Sequence, residues 1–204
     1  IANTTQLDLV TMPINKSIFK KEMGFVGMTE YLGKLNKRDT LMLMHGNKFS
    51  IIPMTTHINV KNISKYINKK YINNFLKKIF INIKKDIYEL DFQKIKFLCF
   101  NPHCGEEGTL GNEDLIIKNV LKNYNKIKGP YSGDSIFMKI DKNTLYISSY
   151  HDQALIPFKI LNKKSMNITL GLNYRRLSPA HGTAKEIKNK SIADNTSYLR
   201  CLLY

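Results

Sequence analysis

An α/β sandwich built on a largely parallel sheet is the fold class this sequence predicts. Three observations carry it. Short apolar segments alternate with amphipathic ones, several of the apolar segments are hydrophobic on both faces, and neither an internal repeat nor a flexible linker divides the chain.

Taken in order, residues 5–13 (TQLDLVTMP) read as a buried strand ending at proline. Residues 40–44 and 49–54 read as two more strands, separated by the turn His45-Gly46-Asn47-Lys48. Residues 62–88 place Ile63, Ile67, Phe75, Ile79, Ile83 and Ile87 on one side with lysines between, the pattern of an amphipathic helix broken once. Residues 95–100 (IKFLCF) form an unbroken apolar strand, followed by the glycine-rich loop 101–111. Residues 112–124 read as a helix whose first turn holds Glu113 and Asp114, complementing its dipole. Residues 129–134 (GPYSGD) read as a turn, 144–150 as a strand, 153–161 as a helix, 166–172 as a buried strand and 193–204 as a closing helix.

The composition excludes several classes. A chain of 204 residues, 43% hydrophobic and 24% charged, buries a proper core and is neither a disordered tail nor a solvated coil. No run approaches the ~18 apolar residues of a membrane helix, and the first residues show no signal-peptide pattern. Nor does the chain open on methionine; it reads as beginning inside something longer. Three cysteines without a C-x-x-C argue against a disulfide framework or a zinc knot, and a reducing cytoplasm is the expected setting. The net charge of +16 raises a polyanionic partner, but arginine occurs only at Arg38, Arg175, Arg176 and Arg200. A nucleic-acid reader favours the planar fork of arginine. A drift of composition toward Lys, Ile and Asn is the simpler reading, so neither nucleic acid nor membrane is expected as a partner.

The histidines are more informative. Each of His57, His103 and His151 follows the carboxyl end of a predicted strand, where parallel α/β sheets open onto a ligand crevice. Three imidazoles suit a divalent metal with an open coordination position, although each taken alone is more often a structural residue. Asp152 adjoins His151, and Asp134 sits in the turn 129–134; either carboxylate could orient a metal ligand or cap a helix. Lys159, Asn167, Arg175 and Arg176 could hold an anionic substrate. The loop 105–111 matches no phosphate-binding glycine motif.

The runs Asn101-Pro102-His103-Cys104-Gly105-Glu106, Tyr150-His151-Asp152-Gln153, Asn167-Ile168-Thr169-Leu170-Gly171-Leu172 and His181-Gly182-Thr183-Ala184 resemble the signature blocks of 4-hydroxythreonine-4-phosphate dehydrogenases, the PdxA family of vitamin B6 synthesis. Pro13-Ile14-Asn15-Lys16, Gly27-Met28-Thr29-Glu30 and Thr55-Thr56-His57 stand in the order of that family's P-x-x-K, G-H-T-E and T-T-H-x-P segments. The resemblance spans residues 1–204 as one region, matching the C-terminal two-thirds of the family's chain.

It implies a three-layer α/β/α, two-lobed architecture like that of isocitrate and isopropylmalate dehydrogenases, with part of the first lobe missing. It also implies NAD- or NADP-dependent oxidation of 4-phosphooxy-threonine to a β-keto acid, which loses carbon dioxide to leave 3-amino-2-oxopropyl phosphate. A divalent metal (zinc, magnesium or cobalt) would be held by His57, His103 and His151 in a homodimer, one ligand coming from the partner copy. Substrate contacts fall on Thr29, Lys159, Asn167 and Arg176, and catalytic roles on Asp134, Asp152 and Lys159; coenzyme contacts are not assigned. Arg176 is preferred to Arg175, which stands at an apolar position of the pattern. Three departures bear on activity: Met28 replaces the histidine of G-H-T-E, Ala180 an aspartate, and Glu107 a glycine. They leave room for a sister dehydrogenase acting on a 4-phospho-threonate-like substrate, or for an inactive remnant.

Overall fold

Alternation along the strands decides the layering. In the computed structural model, which describes residues 7–15, 27–84 and 87–204, Leu43 and Ile52 enter one buried cluster while Met42, Met44 and Ile51 enter another. Leu145 and Ile147 likewise face the first cluster and Tyr146 the second. Successive side chains of a strand point to opposite faces, so the sheet is covered on both.

The described elements run β1 (Leu9–Val10), α1 (Met28–Leu35), β2 (Leu41–Gly46), β3 (Ser50–Pro53), a 3₁₀ turn (Val60–Tyr66), α2 (Lys69–Lys84), β4 (Lys94–Leu98), a second 3₁₀ segment (Pro102–Gly108), α3 (Glu113–Leu121), β5 (Ile127–Tyr131), β6 (Thr144–Ser148), α4 (His151–Leu161), β7 (Ser165–Leu170), β8 (Arg176–Pro179), a short 3₁₀ turn (Lys185–Ile187) and α5 (Thr196–Leu202). They form one sheet in the order β1-β8-β7-β2-β3-β6-β4-β5. Helix α2 buries Ile72, Phe75, Leu76 and Ile79 against one face, with Ile117 and Val120 of α3 beside them. Helix α4 sets Ala154 and Phe158 against the other face, where Phe49, Phe137 and Tyr146 complete an aromatic cluster. Full burial of each such side chain contributes about 1.5–3 kcal/mol. The result is the α/β/α layering expected of the chain.

The sheet is mixed rather than largely parallel. Strands β3, β6, β4 and β5 run parallel, but β8-β7, β7-β2 and β2-β3 are antiparallel. Connection length explains it: β2 and β3 are joined by a tight turn, and β7 and β8 by residues 171–175, too few for the crossover a parallel neighbour needs. Asn162 plugs the β2–β3 turn, its Oδ1 accepting the amide of Lys48 at 2.9 Å.

Other boundaries shift for identifiable reasons. The expected strand 5–13 reduces to Leu9–Val10, half-buried at the sheet edge and paired with β8. Thr5 and Gln6 lie outside the described residues, as do Lys16 and the expected helical residues Lys85 and Asp86. The helix 62–88 is broken where Asn68 caps α2, its Oδ1 accepting the amide of Tyr71 at 2.9 Å. The first half of the expected turn 129–134 belongs to strand β5, which ends at Tyr131, and the chain turns at Gly133 and Asp134; Gly129-Pro130 reads as a turn dipeptide, but an edge strand tolerates a proline that donates no hydrogen bond. Helix α4 starts two residues earlier than expected, placing His151 and Asp152 in its first turn. Among the described residues, no helix is long and apolar enough to cross a membrane.

Candidate active site

Strands β3, β6 and β4 are parallel neighbours in that order, so their carboxyl ends open on one edge of the sheet. His57, His151 and His103 follow these three ends. Adjacent strands lie about 4.8 Å apart. Accordingly the rings of His57 and His151, from neighbouring strands, have centroids 5.7 Å apart. His103 follows a strand one place further on and lines a different depression.

A cleft of about 340 Å³ gathers six of the sequence-predicted residues: Thr29, His57, His151, Lys159, Asn167 and Arg176. A second depression of about 560 Å³ holds the others, His103, Asp134 and Asp152. Asp152 links the two, its Oδ1 lying 2.6 Å from Nδ1 of His151. Among the described residues, no set of three His, Cys, Asp or Glu side chains is gathered closely enough to hold a metal ion. One chain therefore brings two of the three expected metal ligands together.

Those two are prepared alike. Nδ1 of His57 meets Oε1 of Glu30 at 3.1 Å, and Nδ1 of His151 meets Asp152. A carboxylate on Nδ1 fixes the ring and leaves Nε2 for a cation, the usual outer-shell arrangement of metal-bound histidine. This donor chemistry fits a divalent metal needing further ligands from elsewhere. Burial pushes the Glu30 carboxyl up, but hydrogen bonds from His57, Thr56 and the backbone outweigh it and hold the group at about 2. Its Oε2 is buried without a partner. Close approach here depends on Gly27, where a Cβ would stand 2.5 Å from Oε2 of Glu30 and 2.6 Å from Cε1 of His57.

The opposite wall is cationic. Arg176, at the start of β8, is only 3% exposed. Its guanidinium donates to Thr169 Oγ1 at 3.1 Å and to Thr11 Oγ1, while Nε has no partner. Burial lowers its pKa to about 10, outweighing the pull of nearby tyrosines. No carboxylate pairs with it among the described residues. A buried cation bonded only to hydroxyls can receive an anion. Thr29 shares the network through Thr169, their hydroxyls 3.2 Å apart. Tyr88 locks the backbone behind it, accepting the Arg176 amide and donating to the Thr169 carbonyl, each at 2.8 Å. Asn167 Oδ1, also buried and unpartnered, offers an acceptor in the same cleft. Arg175 instead turns away to pair with Asp8.

In the second depression, Asp134 accepts from Ser132 at 2.6 Å; that bond, opposed by desolvation and aided by nearby His103, holds its carboxyl below the usual value. His103 stands in a left-handed turn, with φ between +43° and +75° from His103 to Glu107. The turn is anchored by buried Asp114, whose carboxylate accepts the amides of Phe100 and Asn101 at 2.6 and 2.9 Å. A third cleft, of about 970 Å³, adjoins the first and shares Met12, Pro13, Lys159, His181 and Gly182 with it. Sequence reasoning assigned no role to Glu30, Thr169 or Thr11. A glutamate beside Thr29 in so lysine-rich a chain was the available signal for Glu30; the two threonines carried none.

A model of the family described as "Pyridoxal phosphate biosynthetic protein PdxA" matches residues 2–204. A 4-hydroxythreonine-4-phosphate dehydrogenase of Hydrogenobaculum is 40% identical over 199 residues, 93% of this chain and 62% of its own length. One from Wigglesworthia glossinidia brevipalpis is 40% identical over 192 residues, 89% of this chain and 57% of its own. The solved 4-hydroxythreonine-4-phosphate dehydrogenase of Klebsiella pneumoniae superimposes with a TM-score of 0.73 at 27% identity, over 96% of this chain and 62% of that one. The isocitrate dehydrogenase of Methylococcus capsulatus, at 12% identity and a TM-score of 0.53, shares the fold. The chain thus spans less than two-thirds of the length of these curated relatives.

Proposed function

Because the chain belongs to the PdxA family of pyridoxal phosphate biosynthetic proteins, we propose that it serves an NAD(P)- and divalent-metal-dependent oxidation of 4-phosphooxy-threonine, followed by decarboxylation to 3-amino-2-oxopropyl phosphate. The observation that carries this reading is the buried, carboxylate-free Arg176 facing the paired His57 and His151 across one cleft. That cleft supplies an anion receptor at one end and cation ligands at the other, which a phosphorylated hydroxy acid requires.

Arg176 binds the substrate's anionic group, with the Thr29 hydroxyl beside it. The orphan Oδ1 of Asn167 accepts from the substrate ammonium or hydroxyl. Glu30 and Asp152 hold the His57 and His151 rings so that Nε2 of each stays free for the metal. Lys159, the lysine lining this cleft among the described residues, carries protons at the reacting centre. A divalent cation held by these histidines would supply Lewis acidity toward the substrate hydroxyl and the β-keto acid, and a nicotinamide coenzyme would supply the hydride acceptor. The coenzyme is assigned to the adjoining 970 Å³ cleft, which is contiguous with the substrate site.

The third metal ligand is His103 of a second copy, with Asp134 supporting it, in a homodimer with shared sites. Three unpaired thiols fit a cytoplasmic setting, and residues 1–204 are read as one dehydrogenase region. The test combines metal content with complementation. Each of His57→Ala, His103→Ala and His151→Ala is expected to lose bound metal, and unchanged content in all three sinks the metal reading. Mixing His57→Ala with His103→Ala is expected to restore one intact site per heterodimer, whereas no recovery rejects the assignment of His103 to the partner. Coenzyme reduction that depends on 4-phosphooxy-threonine and on added zinc, magnesium or cobalt tests the reaction.

A further inference from the structure

The segments that carry the three histidines are tied together by one transverse chain of hydrogen bonds. Thr55, two residues before His57, donates from its amide and its hydroxyl to the Ser149 carbonyl, at 3.2 and 2.8 Å. Ser149, two residues before His151, donates its amide to Oε1 of Gln153 at 2.8 Å. Nε2 of Gln153 donates in turn to the carbonyl of Cys99, four residues before His103, at 2.7 Å. The Cys99 amide then donates to the Tyr131 carbonyl of β5 at 2.8 Å.

Gln153 is the link that the sheet itself does not supply. Strands β4 and β6 pair in parallel as far as Phe97 and Ile147, and continuing that register by two residues sets Cys99 opposite Ser149. There the strands part, and the Gln153 amide spans the gap. A carboxamide offers an acceptor and a donor as a peptide unit does, so it stands in for a missing rung. Its orientation is dictated by its partners, because the Ser149 amide can only donate and the Cys99 carbonyl can only accept. Both residues are buried, so each backbone group needs a partner and holds the carboxamide from its own side. Gln153 also lines the depression that contains His103, Asp134 and Asp152.

We propose that Gln153 is a positioning residue for the metal ligands. It fixes the spacing between the His57–His151 pair of one site and the His103 that the same chain lends to the other. The inference rests on the metal reading above and adds the residue that holds the ligand-bearing segments in place. Its two hydrogen bonds go to backbone and not to an imidazole, so it acts through the ends of β4 and β6.

Cobalt(II) binding to the whole chain tests it, because titration gives the affinity and the visible absorption of the bound ion reports its coordination geometry. Gln153→Met keeps the length of the side chain and removes both bonds; Gln153→Glu keeps the acceptor for Ser149 and removes the donor to Cys99. Each is expected to bind cobalt about tenfold more weakly than wild type and with an altered spectrum. Tyr124→Phe, which removes a hydrogen bond to Asn73 of α2 away from both clefts, controls for lost stability and is expected to keep the wild-type affinity and spectrum. Wild-type affinity or a wild-type spectrum in either Gln153 variant overturns the positioning role, as does an equal change in Tyr124→Phe. Should neither Gln153 variant fold, exchange of the Ser149 amide hydrogen in the wild-type chain decides: cobalt is expected to slow it about tenfold, and unchanged exchange in the loaded protein overturns the role. If the wild type binds no cobalt, the metal reading falls along with it.

Discussion

Oε1 of Glu30 lies 3.1 Å from Nδ1 of His57, although the two residues come from different elements, the first turn of α1 and the segment after β3. The same oxygen accepts the Thr56 hydroxyl at 2.7 Å, so the carboxylate is pinned before it orients the ring. Removing its charge while keeping its shape should weaken metal binding without unfolding the chain. Glu30→Gln is expected to lose about 10- to 100-fold in metal affinity, measured by competition with a chromophoric chelator. Gly27→Ala should lose as much by steric means, because its Cβ would press on both partners. Wild-type affinity in both variants would deny Glu30 its orienting role.

Arg176 separates binding from stability. The guanidinium is buried without a carboxylate, so the fold bears its desolvation and gains only hydroxyl bonds in return. Arg176→Met should leave the unfolding free energy within about 1 kcal/mol of wild type or raise it. Ligand stabilisation should vanish instead. Added inorganic phosphate or substrate is expected to raise the melting temperature of the wild type and not that of the variant. Equal phosphate protection in both proteins would place the anion elsewhere.

This division follows what the sequence could and could not express. Strands β2, β4, β6 and β7 were legible because hydrophobic runs buried on both faces leave a local mark. Helix α1 left too short a trace, eight residues of which only Thr29, Leu32 and Gly33 are buried. Strand β8 was missed because Arg176 opens it, and a buried arginine looks like a loop residue in one dimension. Strand order is a global property, and it alone decides that His57 adjoins His151 while His103 lines a separate depression. The hydroxyl contact between Thr29 and Thr169 spans 140 residues, and no local pattern announces it. Position at strand ends and residue type supplied most of the candidate residues, the family resemblance added Thr29 and the individual roles, and the packing supplied their grouping.

The left-handed turn that presents His103 stores strain at a removable place. The Glu107 side chain is exposed and makes no hydrogen bond among the described residues, and its φ is +56°, in the region where a side chain costs about 1–2 kcal/mol. Glycine avoids that cost but loses more entropy on folding. Glu107→Gly should therefore stabilise the protein by about 0.5–1 kcal/mol, seen as a melting temperature raised by about 1–4 °C. Gly105→Ala should act in the opposite sense, since its φ is +75° and the added Cβ would meet the Gly111 carbonyl at 3.0 Å. A lower melting temperature for Glu107→Gly would show that this side chain contributes more than its backbone costs.

Stability at mildly acidic pH should depend on His45, which is remote from the cleft. Its Nδ1 meets Ser50 Oγ at 2.8 Å, its ring packs edge-on against Tyr204, and burial, reinforced by the Arg200 charge, lowers its pKa from 6.5 to about 4. The folded chain thus keeps His45 neutral where the unfolded chain takes up a proton. The associated stability is fully present above pH 6.5, declines as the pH falls from there toward about 4, and changes no further below that value. The loss is at most about 3 kcal/mol. Carboxylates titrate near the lower end of the same window, so the informative quantity is the difference between wild type and His45→Gln in urea unfolding at a series of pH values. That difference should grow in favour of the variant as the pH drops from 6.5 to 4, and parallel pH profiles would show that the imidazole titrates freely in the fold.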